Sequence, residues 1–213
     1  MPKSKNEPII LPQKYYHQYF MEVLAFVKKY STHLMGPEEK LFILDFNKLS
    51  IDAQCLFIRL SNRKGPYFRL DKLNYDEISS IETTTKELEF SGFISSEFDV
   101  NEKIFEVFTK AELKATYTHL DWSKQTKKDA IIQLNEMQSH NSILTQFPLI
   151  EVIRQEALEF IKMLYFGKYK KQMTEFVIRD IGYIKLETLD ETQFTPWFES
   201  RKEALAAFEL YKL

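Results

Sequence analysis

The sequence contains one cysteine and only five glycines among its 213 residues. A single thiol cannot form a disulfide within the chain, so nothing here requires an oxidising compartment. Cys55 lies in the apolar run at 55–58 and is predicted to be a buried, inert thiol. No run approaches the ~18 consecutive apolar residues that a membrane helix needs, and the first residues are too weakly apolar for a signal peptide. The sequence therefore predicts an intracellular protein with no membrane partner.

Catalytic constellations are also missing. The four histidines are far apart, and none lies at metal-ligand spacing from a cysteine or an acid. Five glycines leave no glycine-rich phosphate loop, and none of the seven prolines precedes the aspartate that opens the PD-(D/E)xK motif of metal-dependent nucleases. Residues Glu112 to Lys114 do match acid-x-Lys, but they lie on a predicted helix, whereas that motif belongs on a strand. We therefore predict no catalytic residue, no metal ligand and no cofactor in this chain.

Aromatic and charged residues are plentiful by contrast. Phenylalanine and tyrosine number 18 and 11, and this apolar content predicts a folded, mainly helical protein. The formal net charge is only −2, yet the charges are segregated along the chain. Basic residues dominate 59–72, 110–128 and 162–171, whereas 76–106 holds nine acids against Lys86 and Lys103. Such segregation is typical either of a solvated mixed surface or of separate binding surfaces.

The amino-terminal half has the outline of a winged helix. Apolar residues at intervals of three and four predict a helix at about 13–34, and Gly36-Pro37 opens a second one. A third, at about 53–63, has Ser50 and Asp52 as candidate caps. A short strand at 67–70, a helix at 81–90 and an extended piece at 91–94 complete the outline.

The remaining residues predict further helices. Thr109 with Glu112, and Thr126 with Asp129, form capping boxes that open two helices of a hairpin. The second of these is expected to bury Ile131, Ile132 and Leu134. Helices are also predicted at 149–166, at 173–181 and from 200 onward. The last one is still apolar where the sequence stops, so we expect that the chain is cut short.

Several segments of the sequence resemble the amino-terminal region of the Fanconi-associated nuclease family. They are 49–65, Phe68-Arg69, Lys72-Leu73, 75–78, Tyr15-Tyr16, Gly92-Phe93, 112–114, 165–167, 176–182 and 198–201. The resemblance implies a mainly α fold with a small β component. It divides the chain into amino-terminal helices with a winged-helix-like domain at 1–100, a SAP-like helical hairpin at 101–143, and a helical region at 144–213 that leads into helical repeats.

This resemblance also implies a function. Enzymes of the family are structure-specific nucleases that act on flapped DNA and in interstrand-crosslink repair, with Mg or Mn held in a carboxy-terminal VRR-nuc domain that this chain lacks. The expected partners are branched or flapped duplex DNA and the helical-repeat and nuclease domains of the same protein. The expected location is the cytoplasm of a bacterium or the nucleus of a eukaryote.

Two basic surfaces are predicted to hold DNA phosphates. The first comprises Arg59, Arg63, Lys64 and Lys72, for which a salt bridge to the acidic segment is the alternative. The second comprises Lys114, Lys124, Lys127 and Lys128, with backbone donors at the start of the second hairpin helix. Trp122 is predicted either to stack on DNA or to hold the hairpin closed. Two other functions stay open: a helical protein-interaction module, and a transcription regulator that reads bases through helix 81–90.

The lack of a catalytic constellation predicts that this chain alone, incubated with Mg²⁺ or Mn²⁺, does not cut flapped DNA. The measurement is electrophoresis of an end-labelled flap substrate. Metal-dependent cleavage that stays with the chain through successive purification steps would contradict the prediction.

Overall fold

The computed structural model describes residues 12–101, 103–123, 125–167 and 195–212, and the helix predicted at 173–181 lies outside them. The helices are α1 Tyr15–Tyr30, α2 Pro37–Phe46, α3 Ile51–Ser61, α4 Ile81–Phe90, α5 Lys103–Glu106, α6 Lys110–Thr116, α7 Lys127–Glu136, α8 His140–Gln146, α9 Gln155–Phe166 and α10 Arg201–Lys212. The strands are β1 Tyr67–Arg69, β2 Ile94–Ser95 and β3 Leu149–Val152. The predicted mainly α fold with a small β component is confirmed. None of the helices in the described ranges is long and apolar enough to cross a membrane.

The chain folds as two compact units. The first combines residues 1–62 with 154–213, and the second comprises 63–153. The helices α1, α2, α3, α9 and α10 belong to the first unit, and the three strands with α4 to α8 belong to the second. The predicted domain boundaries at 100 and 143 stay a prediction.

The first unit is a helical bundle with an aromatic core. The stripe of α1 buries Tyr16, Phe20, Val23 and Val27, as its spacing predicts. In α3, the Ser50 Oγ accepts the Ala53 N–H at 3.2 Å, and the helix is buried around most of its circumference, Cys55 included. The core rings of this bundle, in contact with one another, are Phe20, Phe42, Phe46 and Phe57.

A buried ion pair fastens α10 to this bundle. Arg201 contacts the Leu34 carbonyl at 2.8 Å and both carboxylate oxygens of Glu39, at 2.8 and 3.2 Å. Glu39 is only 4% exposed, and it also accepts the Gly36 N–H in the capping box of α2. A buried carboxylate is costly without a partner, and Arg201 supplies that partner for Glu39. Gly36 leaves the space that the guanidinium fills, since a Cβ at that position would overlap its Nη2.

The second unit is built on a three-stranded antiparallel sheet in the order β1-β3-β2. Phe68 pairs with Ile150, and Ile94 pairs with Val152. The sequence-based helix at 149–166 is therefore wrong in its first part. Residues 149–152 form the central strand, and Arg154, at φ 60°, separates it from α9. The four residues after Pro148, three of them apolar and one Glu151, are too short a run to show a period, and their strand partners lie more than 50 residues away in sequence.

Short helices pack beside this sheet around a second core. Its central side chains include Phe105, Phe108, Leu113, Tyr117 and Leu134. Both predicted capping boxes form, at Thr109 with Glu112 and at Thr126 with Asp129. The expected burial of Ile132 is wrong, because Ala130 and Leu134 define the inner face of α7 and Ile132 is 47% exposed.

Gly36→Ala should destabilise the first unit by roughly 1–3 kcal/mol, because its Cβ overlaps a guanidinium that two acceptors hold in place. Urea denaturation measures the change. In an Arg201→Ala background the obstacle is gone, so the same substitution should cost little there. An equal loss in both backgrounds would show that the overlap is not the cause.

Candidate nucleic-acid interface

An open groove of about 670 Å³ lies in the second unit. The loop at 63–66 and strand β1 supply one side of it, and helix α5 with the residue that follows supplies another. The lining residues are Arg63, Lys64, Gly65, Pro66, Tyr67, Phe68, Arg69, Lys72, Lys103, Glu106 and Val107. Side chains that are 40 residues apart in sequence thus share one surface, which we call the basic groove.

Four cations of the basic groove are exposed, namely Arg63, Lys64, Lys72 and Lys103. Glu106 is the one acid in its lining. Arg63 donates to the Tyr75 hydroxyl at 3.1 Å and lies 5.3 Å from the centre of the Phe68 ring, contacts that leave its charge uncompensated. Within the described ranges none of the four forms an ion pair, so the alternative of a salt bridge to the acidic segment is not realised for Arg63, Lys64 or Lys72.

Arg69 has a different role, although it also lines the groove. Its side chain is 4% exposed and forms ion pairs with Asp71 and Glu112, at 2.6 and 2.5 Å. Its guanidinium also lies 4.3 Å from the centre of the Phe147 ring and 5.1 Å from that of Phe108. Two carboxylates more than compensate the charge of this arginine, so Arg69 contributes structure to the groove and no available positive charge.

Glu112 is the acid of the acid-x-Lys match, and its environment is structural. The Thr109 N–H donates to its carboxylate at 2.8 Å, and Arg69 donates to the other oxygen. These hydrogen bonds, that of Thr109 first, lower the pKa of Glu112 to about 2. Among the described residues there is also no group of three His, Cys, Asp or Glu side chains that could hold a metal ion.

The predicted first surface is divided between the two units. Arg63, Lys64 and Lys72 belong to the second unit and meet in the basic groove, whereas Arg59 belongs to the first. The Arg59 guanidinium lies 4.1 Å from the centre of the Tyr16 ring and is half-buried. Its contact with an aromatic ring gives Arg59 a packing role within the helical bundle.

The lysines of the predicted second surface differ from one another. Lys114 and Lys128 are exposed, and Lys124 lies outside the described residues. Lys127 is half-buried and donates to the Glu106 carbonyl at 2.9 Å. The start of α7 is already capped by Thr126 and Asp129, so its backbone donors are partly occupied.

Trp122 points into the second core and not toward solvent. It is 7% exposed, and its Nε1 donates to the Tyr117 carbonyl at 2.8 Å. Of the two predicted roles, the geometry favours the one in which the ring holds the hairpin closed, because a buried ring offers no face for stacking on DNA.

Sequence reasoning missed Lys103 as a member of the site. In the sequence it stands among nine acids, where it looks like a counter-ion. The fold instead places it on α5 beside the cations of 63–72. No local signal predicts this placement, because it depends on how α5 packs in the second unit.

Comparisons with known proteins give a uniform answer. Residues 14–95 match the family model described as "FAN1, HTH domain". The Fanconi-associated nuclease 1 homolog of Arabidopsis thaliana is 31% identical over 90% of this chain and 24% of its own length. The homolog of Pseudomonas aeruginosa is 25% identical over 99% of this chain and 39% of its own length. The chain thus spans about a quarter to two-fifths of these relatives.

The fold itself also matches a solved structure. The crystal structure of paFAN1 bound to 2-nt 5′ flap DNA with a gap superposes with a TM-score of 0.87 and 24% identity. The match covers 96% of this chain and 39% of that one.

The Glu112 environment predicts a pH-dependent stability. A carboxylate whose folded pKa is lowered contributes stability above its unfolded pKa of 4.5, and this contribution is lost as the pH falls toward about 2. Glu112→Gln should therefore be less stable than the wild type at pH 7, with the difference shrinking below pH 4.5. Urea denaturation across pH 2–7 measures it. Glu97→Gln, at an exposed position outside the cluster, is the matched control, and a difference that stays constant with pH for Glu112→Gln would refute the assignment.

Proposed function

Because the chain belongs to the Fanconi-associated nuclease family, as its amino-terminal region, we propose that it is the DNA-binding portion of a structure-specific nuclease. In this proposal it grips the phosphates of branched or flapped duplex DNA, and it does so with the basic groove of the second unit. The observation that carries the proposal is the exposure of four cations in one groove whose lining holds a single acid.

Electrostatics explains how such a groove holds DNA. Duplex DNA carries a dense row of phosphates with condensed counterions, and lysine or arginine side chains release those ions when they bind. Lys64, Lys72 and Lys103 are flexible point charges, and Arg63 adds a planar fork that suits phosphate oxygens. Contacts of this kind position the duplex without reading its sequence. The groove therefore fits a protein that recognises the shape of a DNA junction.

The similarity to paFAN1 supports a branched substrate. That protein is bound to 5′ flap DNA in its crystal structure. Nearly the whole of the present chain has the same fold as the matching part of that protein. We extend the proposal to flap processing and interstrand-crosslink repair by the complete enzyme. In this proposal the helical-repeat and nuclease domains of the complete enzyme are the partners of this chain, and the nuclease domain holds Mg or Mn. The proposed location is the cytoplasm of a bacterium or the nucleus of a eukaryote.

The two other functions receive less support. Helix α4 is the candidate for base reading, yet it exposes Glu82 and Glu89 and contains no arginine, asparagine or glutamine. Acidic side chains repel phosphates, so α4 is poorly suited to enter a DNA groove. The alternative of a pure protein-interaction module does not account for the exposed cations that line the basic groove.

Lys64→Ala combined with Lys72→Ala should weaken binding to flap DNA without unfolding the chain, because both side chains are exposed. The slope of log K against log salt should fall by about one unit for each phosphate that the variant no longer neutralises. Fluorescence anisotropy of a labelled flap at several salt concentrations gives both quantities.

The matched control removes two exposed lysines outside the groove, through Lys40→Ala with Lys86→Ala. Equal effects of the two double variants would mean that only net charge matters and would argue against the groove. Lys114→Ala with Lys128→Ala tests the exposed hairpin lysines in the same assay. Gel shifts of flap, duplex and single-stranded DNA then separate the three functions, since an interaction module should bind none of them.

A further inference from the structure

A second concavity, of about 390 Å³, lies in the same unit as the basic groove. It is lined by Val100, Asn135, Gln138, His140 and Asn141, and we call it the amide pocket. The end of α7, the turn after it and the start of α8 supply four of these residues. Its volume lies within the usual range for small-ligand sites of roughly 300–1,000 Å³.

The polar side chains of the amide pocket have no hydrogen-bond partners among the described residues. His140 is 7% exposed, and its Nε2 is buried without a hydrogen bond. The carboxamides of Asn135, Gln138 and Asn141 likewise make no side-chain hydrogen bond to any described residue. Buried polar atoms are nearly always satisfied, so an orphaned imidazole nitrogen at a pocket points to a ligand.

His140 is held in a fixed orientation. Its ring stacks on Phe105 with 4.6 Å between ring centres and 24° between planes. Burial lowers its pKa, which keeps the imidazole neutral at physiological pH. A neutral imidazole offers one donor and one acceptor nitrogen, and each carboxamide offers both kinds of group.

This chemistry selects a neutral ligand with several hydrogen-bonding groups. None of the five lining residues carries a formal charge, so the pocket is a poor site for phosphate or for a metal ion. Carboxamides match the mixed donor and acceptor edge of a nucleobase, as in their bidentate contacts with adenine. The backbone of an extended peptide is the other neutral ligand of this kind.

The position of the pocket favours the nucleobase. Helix α5 lies between the two concavities, since Lys103 and Glu106 line the basic groove while Phe105 stacks on His140. Val100, three residues before Lys103, lines the amide pocket. A helix is about 10 Å across, which is about three times the spacing of roughly 3.4 Å between nucleotides along one DNA strand.

We propose that the amide pocket receives an unpaired base of the DNA whose backbone lies in the basic groove. This inference rests on the proposed function, because the groove must bind DNA for a base to reach the pocket. The substrate class is a single-stranded segment, such as a flap, next to a duplex. Within this scheme the groove supplies affinity through phosphates, and the pocket adds a contact that requires a base.

The test uses the full chain and compares two flap oligonucleotide substrates that share one duplex and have single-stranded flaps of equal length. In the first the flap carries ordinary bases, and in the second the flap is a chain of abasic sites with the same phosphates. Anisotropy at fixed salt should show the first to bind about 3- to 10-fold more tightly, the range expected for one or two hydrogen bonds. His140→Phe, which keeps the ring stacked on Phe105, and Asn141→Ala should each remove most of this difference while leaving the abasic affinity unchanged.

Gln146→Ala is the matched control, because it removes an exposed carboxamide of the same helix outside the pocket. If His140→Phe does not fold, the exposed Asn141→Ala carries the test alone. Equal affinities of the wild type for the two oligonucleotides would overturn the inference and leave the pocket to a peptide. A difference that survives in both variants would also overturn it. Failure to bind either flap substrate would instead count against the proposed function, so the two failures are distinguishable.

Discussion

The second unit depends on the buried guanidinium of Arg69. Arginine is rarely buried unless it is paired, because removing its charge from water costs several kcal/mol. Here Asp71 and Glu112 supply the compensating charges, and Phe147 and Phe108 supply the contacts for its flat faces. One side chain thereby joins strand β1 to the start of α6 and to the segment that precedes β3. The same junction shapes the basic groove, because Arg69 is one of the residues that line the groove.

This pairing also decides which charges remain available to a ligand. The segment at 59–72 contains five basic residues, but Arg69 is neutralised internally and Arg59 packs on an aromatic ring in the first unit. In the hairpin, Lys127 is engaged by the Glu106 carbonyl, and Lys110 donates to the Gln125 carbonyl. The exposed cations Arg63, Lys64, Lys72 and Lys103 therefore carry the field of the groove. The net charge of −2 is therefore compatible with a locally basic surface, because Glu106 is the one acid in the lining of the groove.

Local features of the fold could be predicted from the sequence. The capping boxes at Thr109 and Thr126 predict the starts of α6 and α7 from local sequence alone, because both partners of each box lie within four residues. The helix at 81–90 and the stripe of α1 follow from periodicity in the same way. Strand β3 could not be predicted, since residues 149–152 take their conformation from hydrogen bonds to β1 and β2, which are distant in sequence.

The candidate site divides along the same line. Their proximity in sequence and the resemblance of that segment to a known family predict Arg63, Lys64 and Lys72 as site residues. The sequence does not predict Lys103 as a site residue, because its sequence neighbours are acidic. Only the packing of α5 brings Lys103 to the groove. Trp122 is an example of a sequence-based candidate that the fold removes. A tryptophan between lysines suggests stacking on DNA, but in the structure its N–H donates to the Tyr117 carbonyl. A count of charges along a chain therefore identifies candidates, and burial decides which of them can meet a phosphate.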